Sequence, residues 1–528
     1  MVIYVSKNNV TIKKITAIIC AFSLLICCSC SFGGADTDPQ NNASYIKNEN
    51  SISIGVYNFD TYNPIATVSQ SVAQTSALIY DSLVKHAGDR SIQMCLCSGY
   101  TVSDSSLTYT FTLKDNIKWH DGSEFTADDV EYTFEMIEAL EQSAYKGRLS
   151  NVASYRKAGK NVFVVTLGYA DSGFINLMDI PIIKSGTDCV NSLKKYIPIG
   201  TGPYKYVRSD LSRAIRLVRN EDYAVSQKPL IEQIIIKQLP DKDSLAGALE
   251  AREIEAAAFS ASEMRNYNPK GNLTQIPYSN NTLTFVGINT TVDNLDKALL
   301  RRALSYTIDR DAIKKDVFFD RAQSVSVPIV PDSYLYNRIY DYARDTERAA
   351  KLLLDAGYTK GDDSMMQNAD GEKLSFDLVV NMENELRVST AQKIKNDLRQ
   401  IGIDIRVTKL SFEDYTSCID SGEYDMFLGE VKINKNLNLS AFAGSNASYS
   451  IYSTERIDAL MRACRYAETN EEFITYYKEI AEVFLSEMPI IPLVMGCDAL
   501  VLNSKIKGVT PPVESNIFSN IASWYIEK

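Results

Sequence analysis

Residues 107–140 read LTYTFTLKDNIKWHDGSEFTADDVEYTFEMIEAL and hold the most informative pattern of the chain. Between residues 107 and 114, apolar residues alternate strictly with threonine or lysine, which predicts a strand with one buried face. Asp121 and Gly122 supply a turn. Thr126 then opens a capping box with Asp129, so a helix is predicted to follow. The apolar stripe of that helix consists of Val130, Phe134 and Ile137.

The first thirty residues predict export from the cytoplasm. Three lysines precede an apolar run over residues 15–26, which is too short for an ordinary spanning helix of roughly 20 residues. The run ends in Cys27-Cys28-Ser29-Cys30, which is similar to the cleavage site of a bacterial lipoprotein. Cys30 is the first choice for lipidation because the small Ser29 precedes it, and Cys28 is the second. An uncleaved anchor and a plain secretion signal are the alternatives, and each predicts a body outside the cytoplasmic membrane.

Composition bounds the class of the body that follows. Residues 31–50 are rich in Gly, Asp, Asn and Ser, which predicts a flexible tether. The remaining length, about 480 residues, is too long for one hydrophobic core and suggests about three domains. The formal net charge is −11, and it becomes −14 once the three lysines of residues 1–30 are removed. An acidic body argues against nucleic acid as a partner and against a basic membrane-binding face.

The cysteines and histidines give no indication of a metal or another cofactor. Six cysteines lie beyond Cys30 without zinc-type spacing, so they are predicted to be buried free thiols. The chain has only two histidines. One of them, His120, lies in the predicted turn and is expected to be exposed and without function. The six cysteines are Cys95, Cys97, Cys189, Cys418, Cys464 and Cys497.

The rest of the body predicts helices and strands in alternation. Residues 52–56 and 282–289 are expected to be strands, and residues 76–84 a helix. A Gly- and Pro-rich string at residues 198–204 marks a crossing between domains. Beyond residue 345, helices ending at glycines alternate with short apolar strands. Such alternation implies a largely parallel or mixed sheet covered on both sides.

Five strings, in order, resemble those of the extracytoplasmic peptide- and nickel-binding proteins of ABC importers, solute-binding protein family 5. The opening block is the first, and the resemblance extends from about residue 51 to the C-terminus. It implies an α/β, two-lobed periplasmic-binding-protein-like fold of the large, cluster C type, with an additional domain and a discontinuous first lobe. The other four strings are Gly-Thr-Gly-Pro-Tyr at 200–204, Arg-Asn-Glu-Asp-Tyr at 219–223, the Arg302–Arg310 string and Tyr424–Gly429.

The resemblance also implies a division of the chain and a role. The expected role is that of a monomer that traps a small solute between its lobes by hinge bending and presents it to the permease subunits and ATPases of an importer. The implied segments are a lipoprotein signal peptide at 1–30, the tether at 31–50, lobe I at 51–76, 199–283 and 498–528, an additional domain II at 77–198, and lobe III at 284–497.

The predicted ligand-binding residues come from three places in the chain. The first is the aromatic, polar loop after the first strand, for which a plain connecting loop is the alternative. The second is the strand near residue 285, and the third is the string that follows the strand at 424–428. The candidate residues are Phe59, Asp60, Thr61, Tyr62, Phe285, Asn289, Gly429, Glu430, Val431 and Lys432.

The third place departs from the pattern of peptide-binding relatives. The resemblance implies a Gly-Trp string and then an aspartate that holds the peptide's ammonium group. Here Glu430 replaces the tryptophan, and the aspartate's position falls near Ile433, which cannot offset the cost of burying an ammonium. Either Glu430 or Asp60 supplies the carboxylate, or the solute lacks a free amine and Lys432 faces an anionic or polar group. A solvated pair of Glu430 and Lys432 is the simpler alternative.

Other functions have weaker support in the sequence. A ligand-sensing surface lipoprotein and a binder of a sugar or chelated metal would share the same fold. An anchored penicillin-binding enzyme would share the compartment, and Ser82-x-x-Lys85 with Lys184-Ser185-Gly186 imitates its motifs. The serines at 192 and 504 fit the first motif equally well, and no Ser-x-Asn lies between Ser82 and Lys184. Catalysis is therefore not expected.

Overall fold

The structure, a computed structural model, describes residues 49–103, 106–188, 196–207, 214–264 and 267–528. The predicted signal peptide, both candidate lipidation sites Cys28 and Cys30, almost all of the tether and Cys189 lie outside the described residues. The described residues belong to one unit, Asn48–Lys528. Within them, no helix combines the length and the apolar character that crossing a membrane requires.

The strands follow one another from residue 51 to residue 526. They are β1 (Ser51–Tyr57), β2 (Val84–His86), β3 (Ile92–Met94), β4 (Cys97–Val102), β5 (Thr108–Leu113), β6 (Val152–Gly159), β7 (Val162–Leu167), β8 (Tyr204–Val207), β9 (Ala214–Arg219), β10 (Gln233–Leu239), β11 (Ala256–Phe259), β12 (Leu273–Ile288), β13 (Ala322–Ser324), β14 (Thr359–Lys360), β15 (Met366–Gln367), β16 (Ser375–Asn381), β17 (Asp404–Leu410), β18 (Met426–Lys432), β19 (Ile490–Asn503), β20 (Ile506–Lys507) and β21 (Tyr525–Ile526).

The helices are concentrated in the second half of the chain. They are α1 (Gln70–Ser76), α2 (Ala127–Ala139), α3 (Asp243–Glu250), α4 (Ala261–Met264), α5 (Ala298–Thr307), α6 (Arg310–Asp316), α7 (Thr346–Asp355), α8 (Glu385–Gln400), α9 (Phe412–Ser421), α10 (Glu455–Arg465) and α11 (Asn470–Glu487).

One large mixed sheet runs through the molecule. Its strand order is β17-β16-β18-β12-β19-β11-β1-β10-β9-β8, and β13 pairs with β19. The strand β1 is parallel to β10 and β11, and β16 is parallel to β17 and β18, whereas the other pairs are antiparallel. A mixed sheet covered on both sides is thus confirmed. Because β1 is central and covered on both faces, its serines Ser51 and Ser53 are as buried as its apolar residues.

The long strands β12 and β19 join the two halves of the sheet. Their pairing shifts register between Ser279 and Leu283, and Asn281 adopts a positive φ of 64° at that break. We call the half with β1 and β8–β11 the first lobe and the half with β13 and β16–β18 the second lobe. Separate apolar clusters pack on the two halves, and α5, α7, α8, α10 and α11 contribute to those of the second.

Residues 84–188, here called the insert, hold a sheet of their own in the order β4-β5-β7-β6. The strand β5 buries Tyr109, Phe111 and Leu113, and α2 begins at the predicted capping box of Thr126 and Asp129. Both elements are confirmed, and they pack into one apolar cluster with residues of β1, β9 and β10. The residue boundaries predicted for the domains stay predictions.

The prediction of a helix at residues 76–84 is wrong, because hydrogen bonds from a distant segment occupy backbone carbonyl groups of these residues. The helix α1 ends at Ser76, and the carbonyls of Leu78 and Ile79 accept hydrogen bonds from the N–H groups of Tyr204 and Gly202 at 3.0 and 2.8 Å. A Cβ on Gly200 would lie 1.7 Å from the Ile79 oxygen. The glycines of the 200–204 string therefore permit a close backbone crossing.

The expected exposure of His120 is also wrong. Its Nδ1 accepts a hydrogen bond from the N–H of Gly200 at 3.2 Å, and its Nε2 donates to the carbonyl of Gly202 at 3.0 Å. Burial lowers the pKa of this imidazole to about 4. The neutral ring therefore ties the turn of the opening block to the 200–204 string.

Of the cysteines, Cys95, Cys97, Cys464 and Cys497 are buried free thiols, as predicted, whereas Cys418 is a partly exposed one.

Replacing Gly200 with alanine should destabilise the fold by about 1–3 kcal/mol, because the new methyl group has to displace the backbone at Ile79. Gly247 is the matched control, since it is exposed in α3 and a Cβ there would meet open space. Gly247→Ala should stabilise by about 0.5–1 kcal/mol through helix propensity. Urea unfolding midpoints of the two variants measure both effects, and equal midpoints would contradict the close crossing.

His120 should make stability depend on pH between about 6.5 and about 4. In that range the unfolded chain binds a proton at His120 and the folded chain does not, so stability falls as the pH falls, by up to about 3 kcal/mol. Urea unfolding at pH 7.5 and pH 4.5 measures this loss. His120→Gln should be less stable at the higher pH and should lose less on acidification than the parent. A parallel pH dependence in both proteins would contradict the prediction.

Candidate functional site

A cavity lies where the insert, the second lobe and the C-terminal segment meet. It encloses about 580 Å³ of empty space, including the part open to solvent. We call it the interlobe cavity. The insert contributes His86, Arg90 and Asn176; the break in β12 contributes Asn281; the second lobe contributes Ile329, Val330, Ser333, Leu335, Ile433, Asn434, Lys435, Leu437 and Tyr477; and the C-terminal segment contributes Val513, Glu514 and Ser515.

The C-terminal segment reaches the cavity because it is anchored on both sides. The short strands β20 and β21 pair with each other, and Trp524 is fully buried with its Nε1 donating to Asn520 Oδ1 at 2.8 Å. Val513 is buried beside the cavity. Glu514 follows it and presents its carboxylate to the second lobe, where its Oε1 accepts a hydrogen bond from Lys432 Nζ at 2.5 Å.

A buried ion network lies beside the cavity and reaches its lining through His86 and Lys435. The carboxylate of Asp179 pairs with Arg148, with Lys435 Nζ at 2.8 Å and with His86 Nδ1 at 3.5 Å. The Asp179 side chain is only 8% exposed. Burial raises the pKa of its carboxyl, but Arg148 and Lys435 outweigh burial and hold that pKa well below its usual range. Asp179 is thus a permanent anion that joins the insert to the second lobe.

The pKa of Glu514, like that of Asp179, is set by the opposing effects of burial and of neighbouring cations. Burial raises the pKa of its carboxyl, but the ammonium groups of Lys435 and Lys432 lower it below the ordinary value. Burial also lowers the pKa of the Lys435 ammonium, in spite of the nearby Asp179. The cavity therefore contains charges of both signs with little solvent to screen them.

Three buried polar atoms in the cavity lining have no hydrogen-bond partner among the described residues. They are Glu514 Oε2, Asn281 Oδ1 and Arg90 Nε. A buried donor or acceptor left without a partner costs about 1–3 kcal/mol. A polar solute in this cavity would satisfy these atoms, and six further buried atoms of this kind lie elsewhere among the described residues.

A second compartment adjoins the interlobe cavity at Asn176. It encloses about 910 Å³, open solvent included, between the insert and the second lobe. Its lining combines the aromatic and apolar residues Ile92, Met94, Tyr100, Val102, Tyr109, Ile175, Tyr334 and Phe473 with the polar residues Ser91, Ser172, Asn176, Glu468, Thr469 and Asn470. The interlobe cavity likewise combines apolar residues with charged and polar ones, so both compartments have the usual make-up of a small-molecule site.

Direct hydrogen bonds join the insert to the second lobe. Asn436 Nδ2 donates to Asp171 Oδ2 at 2.9 Å, and Ser172 Oγ donates to the carbonyl of Cys464 at 2.7 Å. A Cβ on Gly173 would lie 1.9 Å from the carbonyl oxygen of Asn436. Only glycine permits this approach, so the contact depends on the residue at position 173.

The predicted residues of the loop after β1 contact one another, neighbouring residues in the chain and strand β10. Asp60 accepts hydrogen bonds from Thr61 N, Thr67 Oγ1 and Val68 N at 2.6–2.7 Å. The Phe59 and Tyr62 rings contact each other at 4.5 Å between centroids, and Tyr62 Oη accepts from Gln238 Nε2. None of the four predicted loop residues lines the described part of the interlobe cavity.

Three other predicted residues lie in the packed interior of the second lobe. Phe285 is fully buried among the rings of Phe427, Phe442 and Tyr449. Asn289 Nδ2 donates to the carbonyls of Gly422 and Tyr424, as part of the backbone scaffold. Gly429 is buried, and a Cβ there would lie 2.6 Å from the ring of Phe285.

The last three predicted residues end strand β18. Glu430 is exposed and Val431 half-buried, and neither lines the interlobe cavity. Lys432 is connected to the interlobe cavity by its hydrogen bond to Glu514, which lines the cavity. The role of the ten predicted residues in ligand binding stays a prediction. Sequence reasoning missed Glu514, Asp179 and Asn281, for which no local motif exists.

The sequence matches the model of a known protein family. The model of the middle region of the bacterial extracellular solute-binding proteins, family 5, matches residues 91–450. The chain belongs to this family. The resemblance inferred from the five strings is confirmed.

Known proteins of this family are similar over most of the chain. The oligopeptide-binding protein AppA of Bacillus subtilis is 22% identical, with 88% of this chain and 90% of AppA covered. The glutathione-binding protein GsiB of Salmonella paratyphi A is 25% identical, with 83% and 86% covered. The solved structure of HbpA2 from Haemophilus parasuis matches with a TM-score of 0.75 at 21% identity, covering 90% of this chain and all of HbpA2. The two-lobed α/β fold predicted from the sequence is thereby confirmed.

These family 5 relatives are binding proteins, which supports the expectation of a non-catalytic role at the level of the family. In the described part of the chain, no group of three or more His, Cys, Asp or Glu side chains could hold a metal ion.

Replacing Asp179 with asparagine should lower the free energy of unfolding by about 3–5 kcal/mol, because Arg148 and Lys435 would remain buried without their carboxylate. Asp128→Asn is the matched control, since its pair with Lys157 lies on the surface and should contribute little. Urea unfolding of both variants against the parent checks the difference. A small effect at Asp179 would show that the network is not needed for stability.

Proposed function

We propose that this family 5 protein captures a peptide or peptide-like solute in the interlobe cavity and delivers it to an ABC importer. The observation that carries the proposal is the set of unpartnered buried atoms, Glu514 Oε2, Asn281 Oδ1 and Arg90 Nε, in one cavity between the lobes. A peptide offers ammonium and amide donors together with carbonyl acceptors, so it can satisfy all three.

The second compartment supports a peptide-like solute as well. Its mixed lining, with aromatic rings beside polar groups, suits both the side chains and the backbone of a peptide that extends beyond the interlobe cavity. Relatives of this chain include proteins named for binding oligopeptides and glutathione, which is itself a peptide. Others are named for heme and nickel, so those solutes are the alternatives that a test has to distinguish.

The proposed closure of the lobes is supported by contacts that can form only when the lobes meet. The hydrogen bond from Asn436 to Asp171 and the ion pairs of Asp179 and Glu514 join segments that are distant in the sequence. A solute that touches both lobes adds its own contacts to this arrangement alone, and this differential affinity shifts the population toward it. The importer's permease subunits would then receive the closed form.

The place of action is also part of the proposal. Cys30, or else Cys28, would be acylated, and residues 31–50 would tether a monomeric body to the outer face of the cytoplasmic membrane. A surface lipoprotein that reports its solute to a sensor would need the same anchor and the same cavity.

Native mass spectrometry of the full-length chain, purified in a mild detergent, should show a co-purified solute with the mass of a peptide. Gly173→Ala should lose it, because the added methyl group prevents the approach of the insert to Asn436. Gly147→Ala, whose methyl group meets open space, should retain it.

A second measurement uses added solute. A peptide that binds should raise the free energy of unfolding by about 2.7 kcal/mol when it is present at 100 times its Kd. A bound mass that corresponds to heme, a sugar or a metal chelate, with no stabilisation by peptides, would contradict the peptide assignment. Equal retention by the two glycine variants would contradict the role of closure.

A further inference from the structure

We propose that the second compartment receives an uncharged aromatic side chain of the captured solute, so that the protein selects peptides that carry phenylalanine, tyrosine or tryptophan. This inference rests on the proposed function and specifies which peptides the protein captures. The aromatic ring would lie between the insert and the second lobe, and the backbone of the same solute would lead from there into the interlobe cavity.

Hydrogen bonds between the insert and the second lobe fix the walls of the second compartment at two places. At one place, the N–H of Tyr334 in the second lobe donates to the carbonyl of Asp89 in the insert at 2.8 Å. At the other, Ser172 Oγ donates to the carbonyl of Cys464 at 2.7 Å. Both Tyr334 and Ser172 line the compartment. The walls therefore have a defined spacing, as a site for a rigid ring requires.

Packing within the protein leaves part of the apolar wall uncovered. The strand β3 presents Ile92 and Met94, and β4 presents Tyr100 and Val102, in each case two residues apart and so on one face of the strand. The second lobe adds Tyr334. All five side chains are only half-buried. Half-buried apolar side chains that line one space form a surface that a bound apolar group can cover.

The types of side chain in this wall favour an aromatic group over an aliphatic one. The rings of Tyr100 and Tyr109 are nearly parallel, with 6.0 Å between centroids and an angle of 23°. Phe473 of α11 adds a buried ring, and Met94 adds a thioether sulfur. Aromatic rings attract one another in offset or edge-to-face contacts, and a methionine sulfur makes favourable contacts with a ring. A ring of the solute would therefore gain contacts that an aliphatic group of equal size lacks.

The charge of the lining disfavours an anionic group in this space. No Lys, Arg or His side chain lines the described part of the second compartment, where Glu468 is the one charged residue. Burial raises the pKa of the Tyr334 hydroxyl to about 12 and also raises the pKa of Tyr100, so both side chains stay neutral. An anion would find no opposite charge here, whereas a neutral ring needs none. The charged parts of the solute would lie in the interlobe cavity, which Arg90 and Lys435 line.

One solute can occupy both spaces because they adjoin at Asn176, which lines both. Asn176 is 4% exposed, and its Nδ2 donates to the carbonyl of Gly173 at 3.2 Å within the short 3₁₀ helix Ser172–Leu177. The second compartment is the larger space, with about 910 Å³ against about 580 Å³, open solvent included in each. A peptide that passes Asn176 can therefore keep its backbone in the interlobe cavity and place a large side chain in the second compartment.

The test uses the full-length chain and three synthetic peptide libraries that differ at one position. Each peptide carries phenylalanine at that position in the first library, cyclohexylalanine in the second and serine in the third. Bound peptides are separated from free ones by gel filtration and quantified by mass spectrometry. The parent protein should retain the phenylalanine library about tenfold or more over the serine library, because a buried ring leaves water. It should retain the phenylalanine library about threefold over the cyclohexylalanine library, because only the aromatic ring makes the ring contacts.

Tyr100→Ser and Tyr334→Ser each remove one ring, the first from the insert and the second from the second lobe. Each variant should lower the preference for phenylalanine over serine to about threefold or less and should retain the serine library as the parent does. Ile339→Ser is the matched control and should keep the preference of the parent, since Ile339 is 79% exposed and lies outside the lining of both compartments. A variant that failed to fold would lose all three libraries, so the ratio between libraries separates binding from folding.

Equal retention of the three libraries by the parent would overturn the inference and leave the capture of peptides intact. Equal retention of the phenylalanine and cyclohexylalanine libraries would overturn the assignment to an aromatic ring. An unchanged preference in both tyrosine variants would overturn the placement of the ring in the second compartment. Retention of no library by the parent would overturn the proposed function together with the inference. The comparison within the parent does not depend on how well a variant folds.

Discussion

Two strands shared by both lobes constrain the rest of this structure. Because β12 and β19 run through both halves of one sheet, continuous strands join the two lobes, and their pairing is irregular between Ser279 and Leu283 and between Thr284 and Phe285. The first irregularity contains Asn281, which lines the interlobe cavity. A solute captured there as proposed would lie beside the strands that join the lobes. The position of the cavity is therefore a consequence of the sheet topology.

Burying the charged groups around the cavity costs free energy, and good packing alone does not explain why charged residues are found there. Asp179, Arg148 and Lys435 are largely buried, and an apolar set of similar volume would in general be no less stable. If the lobes separate as proposed, charged side chains at this contact can be rehydrated, whereas an apolar interface would expose a patch prone to association. The ion network thus suits a contact that forms and breaks repeatedly.

Sequence patterns over a few residues predicted individual strands and helices, whereas the cavity is formed by residues that are far apart in the sequence. The strand β5, the capping box of Thr126 and the mixed sheet follow from periodicity and capping chemistry over a few residues. The helix expected at 76–84 failed because Gly202 and Tyr204, some 125 residues away, bind its carbonyls. Glu514 was missed for the same reason: it lies 82 positions from its partner Lys432, in a segment without any motif. The resemblance directed attention to strand β18 and the residues after it, of which Ile433 lines the cavity, whereas the carboxylate in the cavity lining, Glu514, belongs to the C-terminal segment.

The location of Glu514 on the C-terminal segment bears on how closure depends on solute. Its ion pair with Lys432 joins the C-terminal segment to the second lobe, but the Lys432 side chain is 55% exposed, so this pair by itself contributes little to holding the two together. The buried ammonium of Lys435 and the guanidinium of Arg90 also act on this carboxylate, in a place where little solvent screens the charges. If the lobes separate as proposed, these interactions would be gained on closing. A weak, exposed pair at this contact would then leave the open form accessible, so that closure would respond to the solute.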